Sequence, residues 1–224
     1  RATNTIRGDN LCPSAARTLP MAQRDQFMAE NQAVLMLGVS GLRGVIGQSL
    51  TPEIAARYGA ALGEWLVAQN QSANAPLVVV GRDSRVSGPM IQMAAVSGLL
   101  STGCRVTDVG IASTPGVGVM VSHLGAAGGL VVTASHNPKP WNGLKPLTSY
   151  GAAPPAEQAK KIIARFHEAT QGKPLQFVDV DHVQPIAVDT STPRVHLDKV
   201  LPLLNTQAIR KRKLKVVLHS VHGR

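Results

Sequence analysis

Uninterrupted apolar stretches, residues 77–80 and 128–132 among them, punctuate a chain in which other hydrophobic positions recur at helical spacing. Short apolar runs rich in β-branched residues mark strands buried on both faces. Residues 106–109 read as a further strand, and 214–218 as another near the chain end. From Thr51 the pattern turns helical: Thr51 is placed as a cap, Pro52 suits the first helical position and Glu53 complements the positive helix end. Ile54, Ala55, Tyr58, Ala61, Leu62, Trp65 and Leu66 then share one apolar face. Further helices are predicted over 90–100 with Gly103 closing it, over 115–123 opened by Thr114, over 155–166, and over 196–204.

This alternation predicts an α/β fold, a mixed, largely parallel sheet flanked by helices, followed by the start of a second similar domain. Loops at the carboxyl ends of such strands are the usual place for chemistry. Residues 1–30 show no sustained periodicity and read as a tail, in which Met21 or Met28 is a candidate start. Residues 31–178 form the predicted first domain, 179–193 a proline-dotted linker, and 194–224 the opening of the second. At 224 residues and 44% hydrophobic content, one full domain plus a partial one is the expected yield.

Composition adds a charge argument. The net charge of +10, from 23 Lys plus Arg against 13 Asp plus Glu, favours anionic partners, phosphosugars and nucleic acid alike. The densest basic cluster is Arg210-Lys211-Arg212-Lys213 with Lys215. No aromatic residue interleaves it, and the two cysteines, Cys12 and Cys104, form no zinc-ligand pair, so a solvated connector is expected and nucleic acid is not. Without an apolar run of membrane-spanning length or a secretory h-region, no membrane partner is expected and the cytoplasm is the default. The oligomeric state is not legible.

The chemistry concentrates in Thr133-Ala-Ser-His-Asn-Pro-Lys-Pro-Trp-Asn-Gly-Leu-Lys145. Ser135 sits at a strand's end, and Pro138 and Pro140 keep Asn137 and Lys139 out of helical geometry. Asn142-Gly143 signals a tight reversal that would bring Lys145 back to the rim that holds Ser135. A serine hydroxyl is a poor nucleophile by itself, so a neighbouring lysine is chemically sensible. A serine hydrolase using Ser135 and His136 is the rival, although no Gly-x-Ser-x-Gly elbow surrounds the serine. Upstream, Arg43 lies among Gly38, Gly41, Gly44 and Gly47, a setting that frees the backbone for close approach to a ligand and offers a planar guanidinium to phosphate oxygens. In Gly81-Arg82-Asp83-Ser84-Arg85, Asp83 is expected to pair with one arginine and brace its loop.

Taken together, the 133–145 stretch, the glycine-arginine segment 38–47, the 81–88 loop and Ser113-Thr114-Pro115 resemble, in order, the motifs of the α-D-phosphohexomutase family. The resemblance implies that Ser135 carries a phosphoryl group to and from a hexose phosphate. It implies that Lys145 is the active-site lysine, that Arg43 reaches the site, that His136 orients the serine loop or shares proton transfer, and that Asn137 with Arg43 and Lys145 binds substrate. Mg2+ is the implied cofactor, held by the phosphoryl group on Ser135 and by residues beyond Arg224. Ser220-Val-His-Gly resembles the opening of the family's second domain, with His219 where an aspartate is common. The family uses four domains, so the chain is expected to be a fragment, inactive alone. The loop around Arg43 and Thr-Ala-Ser-His-Asn-Pro look most like bacterial phosphoglucosamine mutases, making glucosamine phosphate the first-choice hexose, ahead of glucose or mannose phosphate.

Overall fold

The valines of residues 78–80 alternate between two cores, and that alternation organises the molecule. The computed structural model describes residues 34–219. In it, strand β3 (Leu77–Arg82) sends Val78 and Val80 into one buried cluster and Val79 into another. Strand β5 (Gly128–Val132) does the same with Leu130 and Val132 against Val131. A period of two with both faces apolar is what a strand covered on both sides requires.

Among the described residues the sheet has seven strands in the order β1-β2-β6-β5-β3-β4-β7. Strands β5, β3, β4 (Arg105–Ile111) and β7 (Ile186–Val188) run parallel to their neighbours. On the other side of β5, β6 (Trp141–Thr148), β2 (Gly41–Val45) and β1 (Met36–Gly38) pair antiparallel. The sheet is therefore mixed, as expected, and its antiparallel part comes from the two segments that read as loops in the sequence. Helices α1 (Pro52–Gln69), α2 (Gly88–Ser101) and α4 (Ala156–Thr170) cover one face; α3 (Thr114–His123) and α5 (Thr192–Val200) cover the other.

A local signal fixes α1 where the pattern placed it, whereas α3 is capped not by Thr114 but by Ser113, whose hydroxyl accepts the Gly116 N–H at 3.2 Å. Thr51 Oγ1 accepts the N–H of Ile54 at 3.3 Å, and Pro52 opens α1. Helices α1 and α2 pack at backbone contact, because a Cβ on Gly59 would lie 2.1 Å from the Ala95 carbonyl and one on Gly98 2.1 Å from that of Ala56. Glu64 on α1 is ion-paired to Arg165 on α4, and Tyr58 meets Phe166 edge-on at 5.6 Å between ring centroids.

Three expectations need correction. Residues 179–193, read as a linker, supply β7, and the Asp189 N–H donates to the Asp108 carbonyl at 2.9 Å. All three β7 residues are exposed, so the strand carried no burial pattern to read. The 196–204 helix begins earlier, at Thr192, and seats Thr192 and Val195. Residues 214–218, expected as a strand, pair with nothing among the described residues; the basic cluster before them is exposed at the end of a short helix, α6 (Thr206–Lys211). The expected tail at 1–30, Cys12, the candidate start residues and the 220–223 motif lie outside the described residues.

Candidate active site

The reversal that presents Ser135 is built by Ser135 itself and by two prolines. The last rungs of the ladder are the Asp83 N–H to the Val132 carbonyl at 3.0 Å and the Thr133 N–H to the Gly143 carbonyl at 2.9 Å. Beyond them Ser135 takes a left-handed φ of 57°, which is uncommon for a residue with a side chain. The Asn137 N–H then turns back to the Ala134 carbonyl at 3.1 Å and the Trp141 N–H to that of Pro138 at 3.0 Å, after which β6 runs home. Ser135 and His136 are exposed, and Asn137 is half-buried.

Asn142-Gly143, predicted to be the reversal, lies inside β6 and is buried. Packing overrides the local turn preference here. The Asn142 amide donates to Ser87 Oγ at 2.9 Å, and a Cβ on Gly143 would stand 2.5 Å from the Leu42 carbonyl oxygen and 3.0 Å from Arg43 Cγ. Gly143 is thus the floor under the Arg43 side chain, a role whose only sequence signal was the glycine.

Arg43 likewise belongs to a strand rather than to a loop. It pairs with Gly143 across the β2–β6 ladder, and Gly41, at φ 93°, permits the approach of the Leu144 carbonyl, 2.0 Å from where its Cβ would be. Leu42 and Leu144 point into the core beneath α1, so Arg43 and Lys145 point to the opposite face by strand alternation. Arg43 Nη1 donates to Asn137 Oδ1 at 3.2 Å, tying β2 to the serine loop. Lys145 makes no hydrogen bond or ion pair among the described residues. Burial, then the Arg43 guanidinium, lowers its pKa from the ordinary lysine value, while Asp83 opposes. A cavity of about 270 Å³ opens beside it, lined by Ser40, Thr114, Pro115, Lys145, Pro146 and Leu147 among others.

The third component is the loop after β3. Asp83 pairs with Arg85, not Arg82: Arg85 Nε donates to Asp83 Oδ2 at 3.1 Å, while Arg82 Nη1 reaches only the Asp83 carbonyl at 3.3 Å. Asp83 Oδ2 also accepts the Thr133 hydroxyl at 2.7 Å, and Thr133 Oγ1 in turn accepts the Ser135 N–H at 2.9 Å. Thr133 was not singled out by sequence reasoning, since a threonine at a strand end carries no special signal. His136 makes no hydrogen bond to Ser135, which removes the pairing a serine hydrolase would need.

The acidic side chains do not compose a metal centre by themselves. Among the described residues no group of three or more His, Cys, Asp or Glu converges, and Asp83 is committed to Thr133 and Arg85.

Residues 34–173 match the family model described as Phosphoglucomutase/phosphomannomutase, alpha/beta/alpha domain I. The chain belongs to this family. Over 194 residues it is 37% identical to a phosphoglucomutase/phosphomannomutase from Thermococcus kodakarensis, covering 84% of this chain and 40% of the relative. Over 127 residues it is 44% identical to a phosphoglucosamine mutase from Staphylococcus aureus, covering 57% of this chain and 28% of that one. Among solved structures, a putative phosphomannomutase from Thermus thermophilus superposes with a TM-score of 0.66 at 28% identity, over 78% of this chain and 37% of that one. The chain therefore spans 40% or less of the length of these phosphohexomutases. The family match ends just after α4, so β7 and α5 lie outside it.

Proposed function

We propose that this chain is the phosphoryl-carrying part of a phosphohexomutase, with Ser135 as the carrier. The observation that carries the reading is the tie from Arg43 to Asn137, two residues from Ser135, with the unpaired Lys145 on the same sheet face as Arg43. A phosphoserine bears about −1.5 to −2 charge at neutral pH. Fixed cations on the face beside the loop offset its repulsion of an anionic sugar phosphate.

In the transfer, a sugar hydroxyl oxygen attacks phosphorus, the bond from phosphorus to Ser135 Oγ breaks, and the hydroxyl proton passes to a base. Lys145 suits that base, because its lowered pKa enlarges the neutral fraction that can accept a proton. The bisphosphorylated hexose then returns its other phosphoryl group to Ser135, and the net change moves phosphate between C6 and C1. Asn137 orients the substrate side of the loop through its contact with Arg43. His136 is exposed next to Ser135 and serves to shape the loop. The Mg2+ implied by the family resemblance would supply charge stabilisation, with a phosphoryl oxygen on Ser135 as one ligand; the described residues provide no further complete ligand set, and no step above depends on it.

Glucosamine phosphate is the proposed hexose, ahead of glucose and mannose phosphate, in keeping with the 44% identity to the staphylococcal phosphoglucosamine mutase. Turnover by this chain alone is expected to be negligible. The test is a chimaera in which the chain replaces the corresponding segment of that mutase, assayed on each hexose phosphate, with mass spectrometry of the Ser135 peptide. Phosphate at Ser135, lost together with turnover in Ser135→Ala, is the expected result. Turnover unchanged by Ser135→Ala would exclude the carrier.

A further inference from the structure

Every N–H of one guanidinium is spent on the serine loop and its support. Arg85 Nη2 donates to the carbonyls of Ser135 at 3.0 Å and Asn137 at 2.7 Å; Nη1 donates to those of Pro138 at 2.9 Å and Trp141 at 3.1 Å; Nε takes Asp83. An arginine has five such donors, so the set is saturated. Its side chain is only 17% exposed, and its bonds to Asp83, Asn137 and Trp141 are part-buried while those to Ser135 and Pro138 lie at the surface.

The consequence lies on the other side of the peptide links. In a trans peptide the N–H points opposite to the carbonyl, and there are no cis bonds among the described residues. Drawing the Ser135 carbonyl onto Arg85 therefore turns the His136 N–H away from it, on the chain's open side. Among the described residues nothing accepts that N–H. Ser135 combines this inward carbonyl with a left-handed φ, and Asp83 through Thr133 fixes the Ser135 N–H from the opposite end. Exposed left-handed serine is otherwise unfavourable by about 1 kcal/mol or more, so a specific clamp is needed to hold it.

We propose that Arg85 is a positioning residue that holds the Ser135 loop in the shape that aims the His136 N–H at a phosphoryl group carried by Ser135. Arg85 touches neither sugar nor phosphorus; it acts through the carbonyls. The inference rests on the carrier reading of Ser135, and the following experiment separates the two.

The 224-residue chain is made with phosphoserine installed at position 135, and the phosphate is titrated by phosphorus NMR while amide signals are followed in parallel. A hydrogen bond to the dianion lowers its second pKa below the ordinary value of about 6. In the wild-type chain the His136 amide signal moves with the phosphate titration. Arg85→Ala and Arg85→Lys both raise the phosphate pKa by about one unit and uncouple the His136 amide, with the amide signals of β3 and β5 unchanged. Lysine keeps the charge but has three donors for five acceptors, so restoration by Arg85→Lys would reduce Arg85 to a nearby charge and overturn the proposal. A His136 amide that ignores the titration in the wild-type chain would also overturn it, whether or not either variant folds. Arg43→Met and Lys145→Met test the carrier reading separately: if neither moves the phosphate pKa, that reading fails even where Arg85 behaves as proposed.

Discussion

Lys145 follows two residues after Gly143 on β6, and Gly143 pairs with Arg43, so the two cations share one face of the sheet without an anion between them in the ladder. Burial and then Arg43 depress the lysine pKa, with Asp83 acting the other way. Arg43→Met is expected to raise the Lys145 pKa toward its ordinary value, read from the carbon signal next to Nζ in a pH titration. The sign for stability follows. Between the depressed folded pKa and the unfolded value of about 10.4, the unfolded chain binds more protons, so stability contributed by this group rises with pH across that window. Removing Arg43 narrows the window. A Lys145 titration indifferent to Arg43→Met would refute the coupling.

Gly143→Ala places a methyl 2.5 Å from the Leu42 carbonyl oxygen on β2 and 2.9 Å from that of Thr133 just past the end of β5, both backbone atoms. Neither can retreat without breaking the ladder, so a loss of about 1–3 kcal/mol is expected in urea denaturation. Gly38→Ala is the control: nothing lies within 4 Å of its added methyl, and a change within about 0.5 kcal/mol is expected. Equal effects of the two substitutions would show that the Arg43 floor is not tight.

At Gly98 two effects compete. Alanine favours a helix interior by about 1 kcal/mol over glycine. Its methyl, however, would stand 2.1 Å from the Ala56 carbonyl oxygen and 2.7 Å from the Ala60 nitrogen on α1. Overpacking wins, and Gly98→Ala is expected to lower the melting temperature despite better helix propensity. A raised melting temperature would mean that α1 and α2 can part freely.

Cys104 is fully buried, and burial pushes its thiol up to about 11. Thiolate is the reactive form. Iodoacetamide at neutral pH should therefore leave Cys104 unmodified in the native chain and label it once the chain is unfolded in denaturant. Rapid labelling under native conditions would place the thiol outside the core.

The same physical reasons that make these predictions explain what the sequence disclosed. Residues 77–80 and 128–132 announced central strands, because a strand covered on both faces must be apolar throughout. Thr51 and Pro52 announced α1, since capping is a local interaction. Ser135 was rightly placed past a strand end, and Asp83 was rightly expected to brace its loop. What failed was non-local. Asn142-Gly143 has every local feature of a turn, yet Ser87 and Arg43 need those two residues flat in β6. The glycines around Arg43 suggested a loose loop, whereas Gly41 and Gly143 permit two strands and a side chain to pack closely. β7 was missed because an exposed edge strand leaves no burial rhythm.

The β2–β6 ladder also bears on biosynthesis. Arg43 and Asn137 are 94 positions apart, and the contact cannot form before Asn137, nor the ladder before β6, has left the ribosome. A nascent chain that ends at β5 exposes that strand's bare rim, the kind of surface that invites aggregation. Translation past Thr148 seals the rim and gathers the cations in a single event, so maturation of the site and protection of the sheet are one step.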